Sequence, residues 1–372
     1  MAQEKYILPQ LFRERNSSTS TQNMYRRSTR FYENITGETI ETLIQTADEE
    51  ETQNIRWKNT ITRKHLINYR EFLYDKYNIS TAKLYLSAII TIYRHFEITI
   101  PQLPHRSTVG VRKTPPLQYN DLLDREILRE AINISSPVIK SLILFMSSSG
   151  MSRIDTINLR IKDWLNATQS YHNYNTGNCS VKQAIQQMRG ETNIIPVFNG
   201  LHRQKTGLEY FTFCSHEASK FINEYLLTRT EILEYNDPLF KIHERYFNMA
   251  FERLNDHFQL GKVGNYNRLR PHMLRKYHAT QLAEAGMSTD HINLLQGRKI
   301  RGVAHEYYIK INPESLRDEY VDCLPFLVID DANKYKSELE IMKNENTTLK
   351  DSIEGILERL NRIEIKKENE ED

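Results

Sequence analysis

His272-Met-Leu-Arg-Lys-Tyr-His-Ala-Thr280 is the stretch on which the reading of this chain turns. It reads as the opening of a helix, with a histidine and an arginine three positions apart at its start. Upstream, Ser147-Ser-Ser-Gly150 reads as a turn leading into another helix from about 153, with Arg153 just after the turn. Between the two, Ile194-Ile-Pro-Val-Phe198 and Leu208-Glu-Tyr-Phe-Thr-Phe-Cys214 are β-rich and flank the Lys205-Thr-Gly207 turn. That is a hairpin signal, with Gly207 supplying the unusual φ. Downstream come Gln296-Gly-Arg298 and then Tyr307-Tyr308.

Taken singly, each feature has an ordinary reading. An arginine before a helix is usually a solvated charge, and a lysine in a hairpin turn is usually an exposed turn residue. A histidine and an arginine at a helix start often serve as capping or surface groups. Tyr307 and Tyr308 are two of 21 tyrosines. Their occurrence in one order, each in a suitable local structure, is more specific than any single match.

In that order the sequence resembles the tyrosine recombinase (phage integrase) family, closest to its archaeal-type branch. The family's first arginine follows a turn of the form Gly-x-Arg, and Gly150-Met-Ser-Arg153 looks like a version one residue longer. Its His-x-x-Arg block, followed by an Ala-Thr pair, is matched by His272, Arg275 and Ala279-Thr280. A third block, Gly-His or Gly-Trp in most relatives, is Gly297-Arg298 here, so the place is kept and the residue type departs. The nucleophile falls on Tyr308 or Tyr307. Tyr308 is preferred because Tyr308-Ile-Lys310 looks more like the family's Tyr-x-His/Arg ending. The acidic residue that relatives carry three positions after the first arginine is Thr156 here, with Asp155 available as a substitute; His278 and His305 have no matched role.

The resemblance covers about 120–325, and more loosely the helical part of 37–100. It implies a site-specific DNA recombinase acting through a covalent 3′-phosphotyrosyl intermediate, and the chemistry explains the residue types. Cleaving a phosphodiester needs an in-line nucleophile, neutralised non-bridging oxygens and a proton for the departing oxygen. Arg153 and Arg275 offer planar, permanently charged forks to the phosphate. A phenol with an ordinary pKa near ~10 needs positive charge and a proton acceptor nearby, the role given to His272. Lys205, at a hairpin tip, is the candidate acid for the leaving 5′ hydroxyl, and Arg298 would add a further phosphate contact. No metal, cofactor or ATP is implied, in keeping with the lack of a Gly-x-x-x-x-Gly-Lys-Ser/Thr loop or clustered carboxylates.

The fold class expected is mainly α with a small β-sheet. Residues 1–36, with the polar run Asn16-Ser-Ser-Thr-Ser-Thr21, read as a flexible segment. Residues 37–100 read as a helical, SAM-like core DNA-binding domain; its clearest helix follows Ser80 as N-cap, with Ala82, Tyr85, Leu86, Ile89, Ile90, Tyr93 and Phe96 at helical spacing. Residues 101–119, with Pro101, Pro104, Pro115 and Pro116, read as a basic linker. Residues 120–329 form the expected catalytic domain, with helices over Asp121–Ile134 and Pro137–Met146. Lys83, Arg94, Arg106, Arg112 and Lys113 are the candidate DNA-binding cations.

Residues 330–365 carry the most regular pattern. With Leu339 as position a, the a/d series is Leu339, Met342, Asn346, Leu349, Ile353, Ile356, Leu360 and Ile363. This reads as a coiled coil whose pairs Glu338/Lys343, Glu345/Lys350 and Arg359/Glu364 favour a parallel homodimer; the alternative is an amphipathic helix folding back on its own body. Residues 366–372 are an acidic tail.

The net charge of only +2 hides a basic body behind that tail. Three separated cysteines, Cys179, Cys214 and Cys323, suggest neither a disulfide framework nor a zinc site. No apolar run approaches a membrane span and no secretory leader is seen, so a soluble cytoplasmic protein is expected. Double-stranded DNA carrying a recombination site is the implied partner, with four protomers assembling on it. The competing readings are a type IB topoisomerase, which shares the chemistry, and a catalytically inactive DNA-binding regulator on the same fold.

Overall fold

The computed structural model describes residues 6–174, 179–298, 312–332 and, in part, 334–357. The chain divides into two compact units, Met1–Pro116 and Leu117–Asp372.

The first unit is helical: α1 Ile7–Glu14, α2 Thr19–Thr36, α3 Ile40–Thr52, α4 Ile61–Lys76 and α5 Ile79–His95. Four of these start where a short polar side chain can take an orphan N–H: Ser18, Thr39, Thr60 and Asn78 each accept from the residue three positions on. Asn78, not Ser80, therefore caps α5, and Ser80 lies inside its first turn. The flexible reading of residues 1–36 is corrected for residues 6–36, while residues 1–5 lie outside those described. Ser18 turns the polar run into a helix start, and Leu8, Leu11, Phe12, Tyr25 and Tyr32 are buried in the core of this unit. That core is partly polar, which hides it from hydropathy. The Tyr32 and Tyr93 hydroxyls lie 3.0 Å apart, and Ser28 Oγ donates to Tyr85 O at 2.8 Å.

After α5 the chain runs without helix or strand to a single 3₁₀ turn at Tyr119–Asp121. Much of this stretch is fastened to its own unit. Arg70 donates to Pro104 O at 2.6 Å, Ile79 N donates to Arg112 O at 2.9 Å, and Arg106 pairs with Glu71 while lying 5.0 Å above the Tyr74 ring. Arg94 donates to Ile100 O at 3.2 Å; Lys83, Arg112 and Lys113 are exposed.

The second unit continues with α6 Arg125–Ile134, α7 Pro137–Ser149, α8 Arg153–Asn158, α9 Ile161–Ala167, α10 Val181–Gln187, β1 Val197–His202, β2 Glu209–Phe213, α11 His216–Thr228, α12 Glu244–His257, β3 Lys262–Val263, β4 Tyr266–Asn267, α13 Pro271–Glu284, α14 Thr289–Leu295, α15 Pro313–Asp322 and α16 Leu324–Leu327. It is mainly α, with two separate two-stranded antiparallel ladders among the described residues. Helix α7 is buried from Ser141 to Ser149 and packs against α11 and α13, as a helix apolar on all sides must. Ser147 and Ser148 bond the helix's own backbone, Ser148 Oγ donating to Leu144 O at 2.7 Å, and Ser141 Oγ also donates to Phe221 O of α11 at 3.0 Å.

The expected hairpin is present, with β1 starting at Val197 because Pro196 has no N–H for a ladder. Its turn carries Gly207 at φ 67°. Near the end of the unit, the buried Glu217 carboxylate accepts from Ile329 N at 2.8 Å and Asp330 N at 3.0 Å. The described positions from 334 to 357 are helical, and Leu339, Met342, Leu349, Ile353 and Ile356 are each more than half exposed. Leu360, Ile363 and residues 366–372 lie outside the described residues. Among those described, no helix is long and apolar enough to cross a membrane.

Candidate active site

A pocket of about 300 Å³ in the second unit is lined by Ser152, Arg153, Arg203, Arg270, His272 and Arg275, with Met146, Met151, Asn248 and Pro271. It gathers residues from the turn after α7, the β1–β2 hairpin, α12 and the start of α13. A groove of about 540 Å³ at Tyr119 and Glu284 is larger, but Asp124 and Glu284 line it together with Arg125 and Arg268, so its charges are mixed.

Arg275 is only 4% exposed. Its guanidinium donates through Nη1 to Gly150 O at 2.6 Å and through Nη2 to Gln296 O, so its described partners are carbonyls rather than a carboxylate. Burial first, then the charges of Arg203 and Arg298, push its pKa down to about 9. It is still a cation at neutral pH; Asp155 acts on it through space, but no carboxylate among the described residues bonds it, and a buried cation so placed can take an anion.

One turn earlier on α13, His272 is lowered from the ordinary histidine value by burial, and next by Lys276, Arg270, Arg275 and Arg298. Its imidazole is neutral at neutral pH and can accept a proton. Arg298 follows Gly297 directly, and burial and Arg203 lower it in turn.

Arg153 is the first residue of α8, behind its N-cap Ser152. It lines the pocket but is engaged, donating to Asn248 Oδ1 at 2.5 Å and to Glu244 Oε1 at 2.6 Å. Lys205 is exposed at the hairpin tip and does not line the pocket. Tyr307 and Tyr308 lie outside the described residues.

Two residues not given a definite role by sequence complete the arrangement. Asp155 accepts from Ser152 Oγ at 2.6 Å and from Gln204 N at 3.1 Å, tying the hairpin turn to α8; Thr156 is spent on Ser152 O at 2.9 Å. Arg203, two residues before Lys205, donates to Gly297 O at 2.8 Å. It lies one residue past β1, in the turn from which the sequence singled out Lys205 alone.

The backbone beneath the pocket is closely fitted. Gly150 has φ 62°, and a Cβ there would stand 2.5 Å from His278 Nδ1. Gly297 has φ 58°, and its Cβ would stand 2.8 Å from the Tyr210 ring. His278 is fully buried, and Gln296 Nε2 donates both to its Nδ1 at 3.0 Å and to Arg275 O at 2.9 Å. The histidine left without a role by sequence is thus part of the floor that holds Arg275. Among the described residues, no cluster of three or more His, Cys, Asp or Glu could hold a metal ion. Cys179, Cys214 and Cys323 are free thiols.

The family model described as the phage integrase family matches residues 121–314, just over half of the chain. No curated protein matches. Among solved structures, the chain is similar to XerH site-specific recombinase bound to difH substrate, at 16% identity over 84% of this chain and 82% of that one, with a TM-score of 0.47. It is similar to a lambda integrase (75–356) dimer bound to a COC′ core site, at 14% identity over 82% of this chain and 95% of that one, with a TM-score of 0.47. XerA recombinase matches at 18% identity over 84% of this chain and 95% of that one, with a TM-score of 0.31.

Proposed function

The chain belongs to the phage integrase family, and from that premise we propose that it is a site-specific DNA recombinase that cuts and rejoins strands through a 3′-phosphotyrosyl intermediate. The observation that carries this reading is the convergence of Arg153 with the distant pair His272 and Arg275 on one cation-rich pocket.

The scissile phosphate enters that pocket. Arg275 neutralises its non-bridging oxygens from a fixed position, bonded on its inner side to Gly150 O. Arg298, next to Gly297, adds charge from beside the pocket, and Arg153 adds a donor at its edge once released from Glu244. The phenol of Tyr308, or of Tyr307, attacks phosphorus in line while neutral His272 takes its proton. Lys205 at the hairpin tip gives a proton to the departing 5′ oxygen. The phosphotyrosyl bond keeps the energy of the bond it replaced, so a 5′ hydroxyl of another strand can reverse the step with neither ATP nor metal.

Duplex DNA is the proposed partner, held by phosphate contacts from Lys83, Arg94, Arg112 and Lys113, with Arg106 acting through its pairing with Glu71. Four protomers on two duplexes are proposed for exchange, with the tail helix pairing two of them beforehand.

The test is covalent trapping. Full-length protein is incubated with a pool of random-sequence duplexes nicked so that the cleaved strand fragment diffuses away, and adducts are resolved under denaturing conditions. An adduct that survives in Tyr307→Phe and vanishes in Tyr308→Phe is the expected result. Adduct yield unchanged when both tyrosines are replaced together would refute the proposal.

A further inference from the structure

Among described residues of the β1–β2 hairpin, the cation that lines the pocket is Arg203, while Lys205 stays exposed. Its position is built from both sides. The Arg203 N–H donates to Leu208 O at 2.9 Å, and its carbonyl accepts from Gly207 N at 2.8 Å, which closes the turn. The next N–H, from Gln204, goes to Asp155 at 3.1 Å. Beyond the turn, Arg203 Nη1 donates to Gly297 O at 2.8 Å, while Arg275 Nη2 donates to the adjoining carbonyl, Gln296 O. Two guanidiniums from distant elements are therefore anchored on consecutive carbonyls just past α14, and Arg298 is the next residue.

The Nε–H of Arg203 is buried and has no hydrogen-bond partner among the described residues. A charged donor left so is rare unless something enters to accept from it. Arg153 is in the opposite condition, since Glu244 compensates its charge and Asn248 takes a second donor. It also stands one place later after Gly150 than the Gly-x-Arg pattern requires.

We propose that Arg203 is a catalytic residue of this chain: with Arg275 it grips the non-bridging oxygens of the scissile phosphate, in the place that Arg153, held by Glu244 and Asn248, leaves open. The proposal rests on the reading that this pocket receives a phosphodiester. It makes the hairpin a carrier of transition-state charge stabilisation as well as of the leaving-group acid.

The experiment uses full-length wild type, Arg203→Ala, Arg203→Lys and Arg153→Ala, each measured in two ways. Adduct formation on the nicked pool, beside filter binding of intact duplex, reads chemistry apart from DNA affinity. Calorimetric titration with inorganic sulfate reads the pocket alone. Arg203→Ala should slow adduct formation by about 100-fold or more while duplex binding stays within about threefold, and Arg203→Lys should recover part of the rate. Arg153→Ala should lose less than Arg203→Ala. Sulfate affinity should fall by about tenfold or more in Arg203→Ala.

Adduct rate and sulfate affinity both within about threefold of wild type in Arg203→Ala would overturn the proposal. A wild type that binds sulfate through Arg203 yet forms no adduct would sink the recombinase reading and leave the anion role of Arg203 standing. A wild type that does neither sinks both. Should Arg203→Ala fail to fold by circular dichroism, Arg203→Gln, which keeps the aliphatic stem and a polar end without the guanidinium, takes its place under the same thresholds.

Discussion

Folding moves the His278 imidazole from water into a closed space beneath Gly150, and burial first, then Arg275 and Arg298, pushes its pKa down to about 3. Below the ordinary value of 6.5 the unfolded chain binds a proton that the folded chain refuses. The stability due to this neutral histidine is therefore complete above that value and is lost as pH falls, by at most about 1.4 kcal/mol per pH unit. Urea denaturation at pH 7.5 and 5 should show a larger drop in midpoint for wild type than for His278→Gln. His272 is lowered too, so the acid limb of the adduct rate should lie below pH 6.5, and a limb above it would remove His272 as proton acceptor. At this scale the His272–Arg275 pair was legible because a helix fixes a spacing of three. Arg203 was not, since a turn draws attention to Lys205 at its tip, and only the fold shows which of the two cations turns back into the pocket.

Two elements meet the site through glycines that nothing else can replace. At Gly150, where α7 ends, an alanine would combine a left-handed φ with a contact at 2.5 Å on His278; at Gly297, past α14, it would press the Tyr210 ring at 2.8 Å. Each substitution should destabilise the protein by roughly 2–4 kcal/mol, the sum of backbone strain and overpacking. Thermal melts would check this, and a Gly297→Ala protein as stable as wild type would mean that the carbonyls holding Arg203 and Arg275 can shift freely. The hairpin, α7 and the helix at 153 were legible from turn chemistry and apolar runs. Helix α2 was not, because its core face uses Ser28 and a tyrosine hydroxyl that pair only after the helices have packed, and α1 is a short apolar stretch of eight residues next to the polar run.

For the whole molecule, the exposed stripe of Leu339, Met342, Leu349, Ile353 and Ile356 predicts self-association. Removing residues 333–372 should convert a dimer to a monomer in sedimentation equilibrium, and an unchanged mass would reject pairing through the tail. DNA affinity should fall steeply with salt, with the slope reduced by about 0.9 for each phosphate-contacting lysine or arginine replaced by alanine. The tail's heptads were legible as pattern because periodicity needs no tertiary context, whereas the choice between pairing and folding back depends on a partner surface that a single chain does not spell out. One last consequence belongs to the carbonyl-anchored guanidiniums. With Arg275 and Arg203 bonded to peptide oxygens, their like charges repel, and a small oxyanion between them should relieve that repulsion. Buffer composition then becomes part of the fold's thermodynamics: phosphate at about 100 times its dissociation constant should add about 2.7 kcal/mol of stability over a bulky sulfonate buffer of the same ionic strength.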